Sequence, residues 1–280
     1  MGQIAFWGYQ HGLGVTSNTA AIAALIGLEY QIRTLCSQPQ WSDATLERAF
    51  RRALQQSNPE FFDFTGTGID SLERAVRAGK LQNDSIKNNS LFIERDRLDF
   101  LKNSGKLNRE QFEASTDVLN IIYESARAYY DVLLLDLHSG SNSNVGQSML
   151  QNSDLIVVCV NQNINVLEKY FESKDSWPAE LHTKPHVLLV GQYDIESKYK
   201  IKNIANKYRY KAPILTVPYN TNFKDHYNDG DVKGFFTKNR FIAKNHENFH
   251  FMQEVRRAAE FILTEVGINT KIKNIERGVS

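Results

Sequence analysis

Short runs of apolar residues alternate along this chain with segments of helical periodicity. Continuous apolar runs predict the strands of a parallel sheet, because such strands are covered by helices on both faces. The amphipathic segments between them predict the covering helices. The predicted strands are 3–7, 31–37, 132–135, 154–162, 186–194 and 213–220, and the predicted helices are 15–30, 42–57, 68–79, 108–129, 163–176, 197–209 and 246–266.

This alternation predicts an α/β fold in which helices cover both faces of a doubly wound, mostly parallel sheet. No internal repeat and no linker rich in Pro or Gly divides the chain, so we expect a single domain over residues 1–280. The segment 80–107 is polar and has no regular pattern apart from the short stretch SLFIER. We expect this segment to be an insertion.

Net charge, cysteine placement and the length of the apolar runs limit the classes of protein to which this chain can belong. The net charge is +1, from 33 basic and 32 acidic residues, which gives no overall attraction to nucleic acid or to an anionic membrane. Cys36 and Cys159 lie in apolar runs without metal or redox spacing, which predicts reduced cysteines in the core. No apolar run reaches the ~18 residues that a membrane helix needs. We therefore expect a cytoplasmic protein without an integral membrane segment.

A glycine-bearing turn follows the first predicted strand and leads into the first predicted helix. Strand, turn and helix N-terminus form an anion cradle, because unpaired backbone N–H groups and the positive helix end converge there. In a working phosphate-binding loop, a lysine follows the last glycine and a Ser or Thr that holds Mg²⁺ comes next. The candidate nucleotide-binding residues of the turn are Gly12, Leu13, Gly14, Val15, Thr16 and Ser17, with Val15 at the lysine position.

Four spaced motifs give the chain a family resemblance over nearly its whole length. They are QHGLGVTS (10–17), TLCSQPQ (34–40), YDVLLLDLHSG (130–140), and VLLVGQYD followed by TVPYNTNFKDHYNDGD (187–231). With these motifs the chain resembles the ParA/MinD family of deviant Walker ATPases, which implies a P-loop NTPase-like three-layer sandwich. Within that family, the HGLGVTSN turn and the PYN…F…DG ending look most like the TadZ/CpaE-like branch, which accompanies pilus-assembly and secretion machinery.

The resemblance implies a site and partners. The cofactor would be ATP or ADP with Mg²⁺, and Thr16 and Asp136 would hold the magnesium. Gln192 and Pro218 fall in the segments that contact the base in the family. The resemblance also implies a homodimer and a protein partner from a pilus, secretion or partition system. That partner could recruit the protein to the inner face of the membrane or to the cell pole.

The departures from the family pattern bear on activity. The two family lysines fall at Gln10 and Val15, and the two aspartates after the second strand fall at Cys36 and Gln38. Each lost lysine forfeits charge-assisted hydrogen bonds of roughly 1.5–3 kcal/mol. Two such losses would lower the affinity for nucleotide by about two to four orders of magnitude. We therefore expect weak nucleotide binding or none, and no efficient ATPase activity.

Several alternatives stay open at this stage. His11, Arg33 or Lys198 could replace the missing cations. Thr16 and Ser17 fit a helix-capping role as well as a magnesium role, and Asp136 also fits a simple turn.

Three functions remain open as well. The first is a dimeric scaffold that positions or assembles a pilus or secretion machine. The second is an active partition or positioning ATPase with a rewired site. The third is a DNA-binding segregation protein, which would use the basic stretch 198–211. That stretch also fits a solvated helix face with Ile201 and Ile204 turned inward, so we expect no nucleic-acid partner.

Overall fold

A computed structural model describes residues 1–41, 45–57, 66–82, 84–106, 108–140 and 143–271 of the chain. The strands are β1 (Gly2–Gly8), β2 (Thr34–Ser37), β3 (Leu91–Glu94), β4 (Leu98–Leu101), β5 (Val132–Asp136), β6 (Leu155–Val160), β7 (His186–Tyr193) and β8 (Ile214–Pro218). They form one sheet of eight strands in the order β3-β4-β2-β5-β1-β6-β7-β8. Every pair is parallel except β3–β4, which confirms the predicted fold class.

Helices lie on both faces of this sheet. They are α1 (Val15–Glu29), α2 (Thr45–Ala49), α3 (Arg51–Ser57), α4 (Ile69–Arg77), α5 (Ser85–Asn88), α6 (Arg109–Glu113), α7 (Thr116–Tyr129), α8 (Asn144–Gln151), α9 (Ile164–Glu172), α10 (Glu180–Thr183), α11 (Ile201–Tyr208), α12 (Thr221–Asn228), α13 (Val232–Lys238) and α14 (Phe249–Glu265). Helices α1, α13 and α14 contribute to one core, and α4, α7, α8 and α9 contribute to the other.

The central strand β1 explains why its sequence is apolar throughout. It pairs with β5 on one side and with β6 on the other. Successive side chains of a strand point to opposite faces, so Ile4 and Phe6 enter one core while Ala5 and Trp7 enter the other. Because both faces of β1 are covered by helices, its consecutive residues from Ile4 to Trp7 are all apolar, rather than every second one.

The expectation of irregular structure in the segment 80–107 is wrong. This segment contributes α5, β3 and β4, and β4 joins the sheet as a parallel neighbour of β2. Leu91, Ile93 and Phe100 are buried in the core that also contains α1. Each of the two strands has only four residues, and the polar residues around them concealed their pattern.

Other predicted elements also differ from the structure in their bounds, and three of them illustrate how. The second strand spans only Thr34–Ser37 rather than 31–37. Two helices, α2 and α3, replace the single helix expected over 42–57, and the buried Phe50 lies between them. The N-cap candidates of that helix, Ser42 and Asp43, lie outside the described residues. The helix expected over 108–129 is likewise divided into α6 and α7.

A lysine side chain from α13 contacts the backbone of the edge strand β3. The Lys233 Nζ donates a hydrogen bond of 2.8 Å to the Ile93 carbonyl and lies 2.8 Å from Glu94 Oε2. The pairing of β3 with β4 also has an irregularity between Phe92 and Glu94. Among the described residues, no helix combines the length and the apolar character needed to cross a membrane.

Candidate functional site

The turn between β1 and α1 has the shape of an anion cradle. Gly12 and Gly14 have φ angles of 83° and 75°, a left-handed conformation that other residues rarely adopt. Gly14 is the N-cap of α1 and carries no side chain that could bond the first N–H groups of the helix. Ser17 does not cap them either in the observed geometry, since its hydroxyl donates to the Gly14 carbonyl at 3.0 Å. The amino end of α1 is therefore available to an anion.

Two apolar side chains fix this turn to the sheet. Leu13 is 2% exposed and Val15 is 7% exposed, and they pack into the cores on opposite faces of the sheet. A Cβ atom on Gly8 would lie only 2.9 Å from Val15 Cγ2, so β1 and Val15 are in close contact. At the position where the related loops have a lysine, this chain therefore has a core residue.

The candidate magnesium ligands are held in one hydrogen-bond network centred on Gln38. The Gln38 amide donates to Asp136 Oδ2 at 2.6 Å and lies 3.5 Å from Thr16 Oγ1 and 3.4 Å from Thr45 Oγ1. Its carbonyl oxygen accepts a hydrogen bond from the Leu46 amide at 3.1 Å. Gln38 thus connects the start of α2 with the first turn of α1 and the end of β5.

Asp136 is the acidic residue of this network, and its pKa is strongly shifted. Its side chain is buried, and burial raises its pKa to about 7, while hydrogen bonds from Thr16 and Gln38 act in the opposite direction. A carboxyl group with such a pKa exchanges its proton near neutral pH. A divalent cation bound beside it would favour the ionised form.

A cavity of about 370 Å³ lies between the turn and the end of β5. Gly12, Leu13, Gly14, Val15, Thr16, Ser17 and Asp136 all line it, so the structure brings these predicted residues together. We call this space the phosphate cavity. In the part of the chain that the structure describes, no Lys or Arg lines the phosphate cavity, whereas His11 does.

A second cavity, of about 180 Å³, adjoins the first and contains the remaining predicted residues. Gln192 and Pro218 line this second cavity, which we call the base cavity, and Ser17 and Tyr227 line both. Gln192 has a φ angle of 49°, at an irregularity in the pairing of β7 with β8. Lys224 also lines the base cavity and contributes a positively charged side chain to it.

Asn18 is a site residue that the sequence interpretation missed. It lies in the first turns of α1, is 2% exposed, and lines the base cavity. A Cβ atom on Gly191 would lie 2.6 Å from Asn18 Nδ2, so any side chain at position 191 would force the Asn18 side chain to shift. A single asparagine within the Ala-, Ile- and Leu-rich helix is the signal that could have indicated this role.

Of the proposed substitute cations, one lies at the wrong edge of the sheet. The Arg33 amide donates to Asp131 Oδ2 at 2.8 Å, where β2 and β5 begin rather than end. The expectation that Arg33 could compensate is therefore wrong. Lys198 lies over the ring of Tyr199 at 5.3 Å and lines neither cavity. The expectation that Lys198 could act at the cavities gains no support from this placement.

Two other basic side chains do lie near the turn. The His11 ring lines the phosphate cavity and is 4.8 Å from the ring of His138. Lys169 of α9 donates to Gln10 Oε1 at 3.2 Å, beside the position of a missing family lysine. Its contact depends on the packing of α9 against the turn, which motif spacing does not reveal.

Solved structures show which fold this is. A ParA family ATPase from Chlorobium tepidum TLS superposes with a TM-score of 0.69 at 12% identity, covering 92% of this chain and 98% of that one. MinD from Pyrococcus horikoshii OT3, complexed with Mg-ADP, gives 0.68 at 14% identity, with 95% and 97% covered. The MinC:MinD complex of Aquifex aeolicus gives 0.63 at 16% identity, with 94% and 96% covered. The fold is that of the ParA/MinD ATPases.

The similarity to these structures is in the backbone fold, because the sequence identities are only 12–16%. No protein-family model matches the sequence, and no curated protein matches it. Within the ParA/MinD fold, the two cavities lie at the carboxyl ends of β1, β5, β7 and β8. Ligands bind at this edge in open α/β sheets.

Proposed function

We propose that this chain is a ParA/MinD-like protein with a degenerate nucleotide site. It binds Mg-ATP or Mg-ADP weakly through the backbone of the turn, with Thr16 and Asp136 as magnesium ligands. The observation that carries this proposal is the phosphate cavity, which has the cradle and both magnesium candidates but, among the described residues, no Lys or Arg in its lining.

The charge balance of the cavity argues against efficient hydrolysis. Phosphoryl transfer depends on neutralising the charge of the phosphates and on positioning the attacking water. Val15 supplies no charge, and Gln38 supplies a neutral amide where the resemblance expects an aspartate. That amide is also engaged with Asp136 and the start of α2, so it is not free to orient water.

We further propose that the protein acts as a dimeric scaffold for a pilus or secretion machine. The support is the TadZ/CpaE-like appearance of its motifs, together with a fold shared with MinD, which has been solved in complex with MinC. The scaffold would act in the cytoplasm and reach the membrane or the pole through its partner. Without the family lysine at Gln10, nucleotide would contribute little to the association of the two subunits.

One observation favours a second candidate, an active ATPase with a rewired site. Lys169 reaches Gln10 from α9 and could move toward a bound nucleotide. A hydrolysis assay on the wild type and on Asp136→Ala tests this candidate. Turnover that the substitution abolishes would favour the active ATPase over the scaffold.

Isothermal titration with Mg-ATP on three proteins tests the degenerate site. Val15→Lys returns a cation to the cavity and should tighten binding roughly 10- to 100-fold, as expected for one set of charge-assisted hydrogen bonds. Val15→Met is the matched control, since it has a long side chain without charge and should leave the affinity near that of the wild type. Submicromolar binding by the wild type, unchanged in Val15→Lys, would contradict the proposal.

A further inference from the structure

A second polar cleft lies at the opposite edge of the sheet, where β2 and β5 begin. Its volume is about 430 Å³, within the range of small-molecule sites. The β3–β4 hairpin forms one wall, and the start of β2 and the end of α7 form another. We call it the hairpin cleft. It shares no lining residue with the phosphate cavity or the base cavity.

Four cations line the hairpin cleft, namely Arg33, Lys87, Arg95 and Arg97. Two of them converge on one aromatic ring: the Arg33 guanidinium is 4.8 Å, and the Lys87 ammonium 5.4 Å, from the ring centre of Tyr129. The ring attracts both cations and so helps to keep them at the wall of the cleft. An anion in the cleft would be attracted by both.

Most of this positive charge is not held in a direct ion pair with a carboxylate. Within the described residues, Lys87, Arg95 and Arg97 form no ion pair, and Arg33 lies 3.6 Å from the half-exposed Asp131. Arg97 donates to the Tyr30 carbonyl at 3.1 Å, and Arg95 lies 5.8 Å from the ring of Phe92. These contacts hold the guanidinium groups in place but leave their charge unbalanced.

The two acids of the cleft do not cancel its charge. Asp96 and Asp99 line it with the four cations, which leaves a surplus of two positive charges. Asp99 accepts a hydrogen bond of 2.7 Å from the Tyr130 hydroxyl, and burial raises its pKa. A phosphate monoester carries close to two negative charges at neutral pH and matches the surplus.

We propose that the hairpin cleft binds a phosphate group, either of a small phosphorylated ligand or of a nucleic-acid backbone. Three of the four cations are arginines, whose planar donors fit phosphate oxygens in pairs. The site is separate from the proposed nucleotide site and stands whether or not nucleotide binds there.

Titration with sodium pyrophosphate at low ionic strength tests this site. Lys87→Gln and Arg95→Gln change exposed side chains of the cleft, and each should weaken binding about tenfold. Lys211→Gln is the matched control, because this exposed lysine lies in the loop between α11 and β8 and should change nothing. Added salt should weaken binding in the wild type.

Pyrophosphate could also occupy the turn before α1, so Thr16→Ala is titrated as well. The proposal expects Thr16→Ala to bind as the wild type does. It is overturned if pyrophosphate does not bind at millimolar concentration, if Lys87→Gln and Arg95→Gln bind it as tightly as the wild type does, or if Lys211→Gln weakens binding as much as they do. A short DNA duplex that displaces pyrophosphate would show that the cleft takes the phosphates of a nucleic-acid backbone. A duplex without effect would show that it takes the phosphate of a small ligand.

Discussion

At the scale of single residues, Asp136 and Gln38 determine the chemistry of the site. The Gln38 amide lies 2.6 Å from the buried carboxyl group of Asp136 and supplies a donor but no charge. A buried acid that lacks a cation is easier to protonate, which accounts for its raised pKa. If Asp136 holds magnesium as proposed, proton and magnesium compete for this carboxyl group near neutral pH.

The raised pKa of Asp136 predicts a pH-dependent cost to folding. Between its ordinary pKa of 3.8 and its folded value of about 7, Asp136 binds a proton in the folded state that the unfolded chain has lost. The contribution of Asp136 to stability therefore falls as pH rises through this window, by at most ~1.4 kcal/mol per pH unit, and is constant above it. Asp136→Asn removes this loss.

Urea unfolding of the wild type and Asp136→Asn from pH 4.5 to pH 8 measures the effect. Asp136→Asn should gain stability relative to the wild type as pH rises, with most of the gain reached near pH 7. Asp175→Asn, which changes an exposed aspartate, is the control and should show no such gain. A gap between wild type and Asp136→Asn that is the same at every pH would refute the raised pKa.

At the scale of elements, the contact of α1 with β7 lies beside the base cavity, which Asn18 lines. Asn18 fills the space in which a side chain on Gly191 would lie. Gly191→Ala should therefore destabilise the protein by about 1–3 kcal/mol, as overpacking in a core does. Asn18→Ala vacates that space, so adding it should reduce the cost of Gly191→Ala.

A double-mutant cycle in urea separates this contact from other effects. We expect the two substitutions to couple by about 1 kcal/mol or more, with the double variant more stable than the sum of the single changes predicts. Costs that simply add would show that Asn18 and Gly191 do not constrain each other.

Elements also show what the sequence could and could not predict. The apolar strands β1, β5 and β6 and the turn before α1 were predictable because burial on both faces leaves a strong local pattern. The strands β3 and β4 were not, because each has only four residues and half-exposed positions interrupt the buried ones. The roles of Asn18 and Lys169 depend on contacts with β7 and with the turn, and no local spacing encodes such contacts.

At the scale of the whole molecule, the phosphate cavity and the hairpin cleft lie at opposite edges of the sheet and differ in charge. The carboxyl edge has the phosphate cavity, whose described lining contains no Lys or Arg, while the amino edge has the hairpin cleft with its four cations. The family resemblance places the contact between subunits at the nucleotide, through the lysine that is Gln10 here. The dimer that we propose should therefore form without nucleotide.

Multi-angle light scattering with Mg-ATP and with EDTA tests this expectation. The mass should be that of a dimer in both conditions, because nucleotide has little charge to engage across the interface. A monomer in EDTA that becomes a dimer only on addition of Mg-ATP would refute the persistent scaffold and would favour a cycling ATPase.

The Lys233 contact on β3 has a consequence for a crowded cell. An uncovered outer strand offers free backbone groups on which a neighbouring chain can add a strand, and ordered aggregation can begin there. Here the Lys233 ammonium group donates a hydrogen bond to the Ile93 carbonyl and places a charge at the edge of β3. An added strand would have to displace this ammonium group and bury its charge. The β3 side of the molecule is thus protected against templated assembly, and self-association is left to other surfaces.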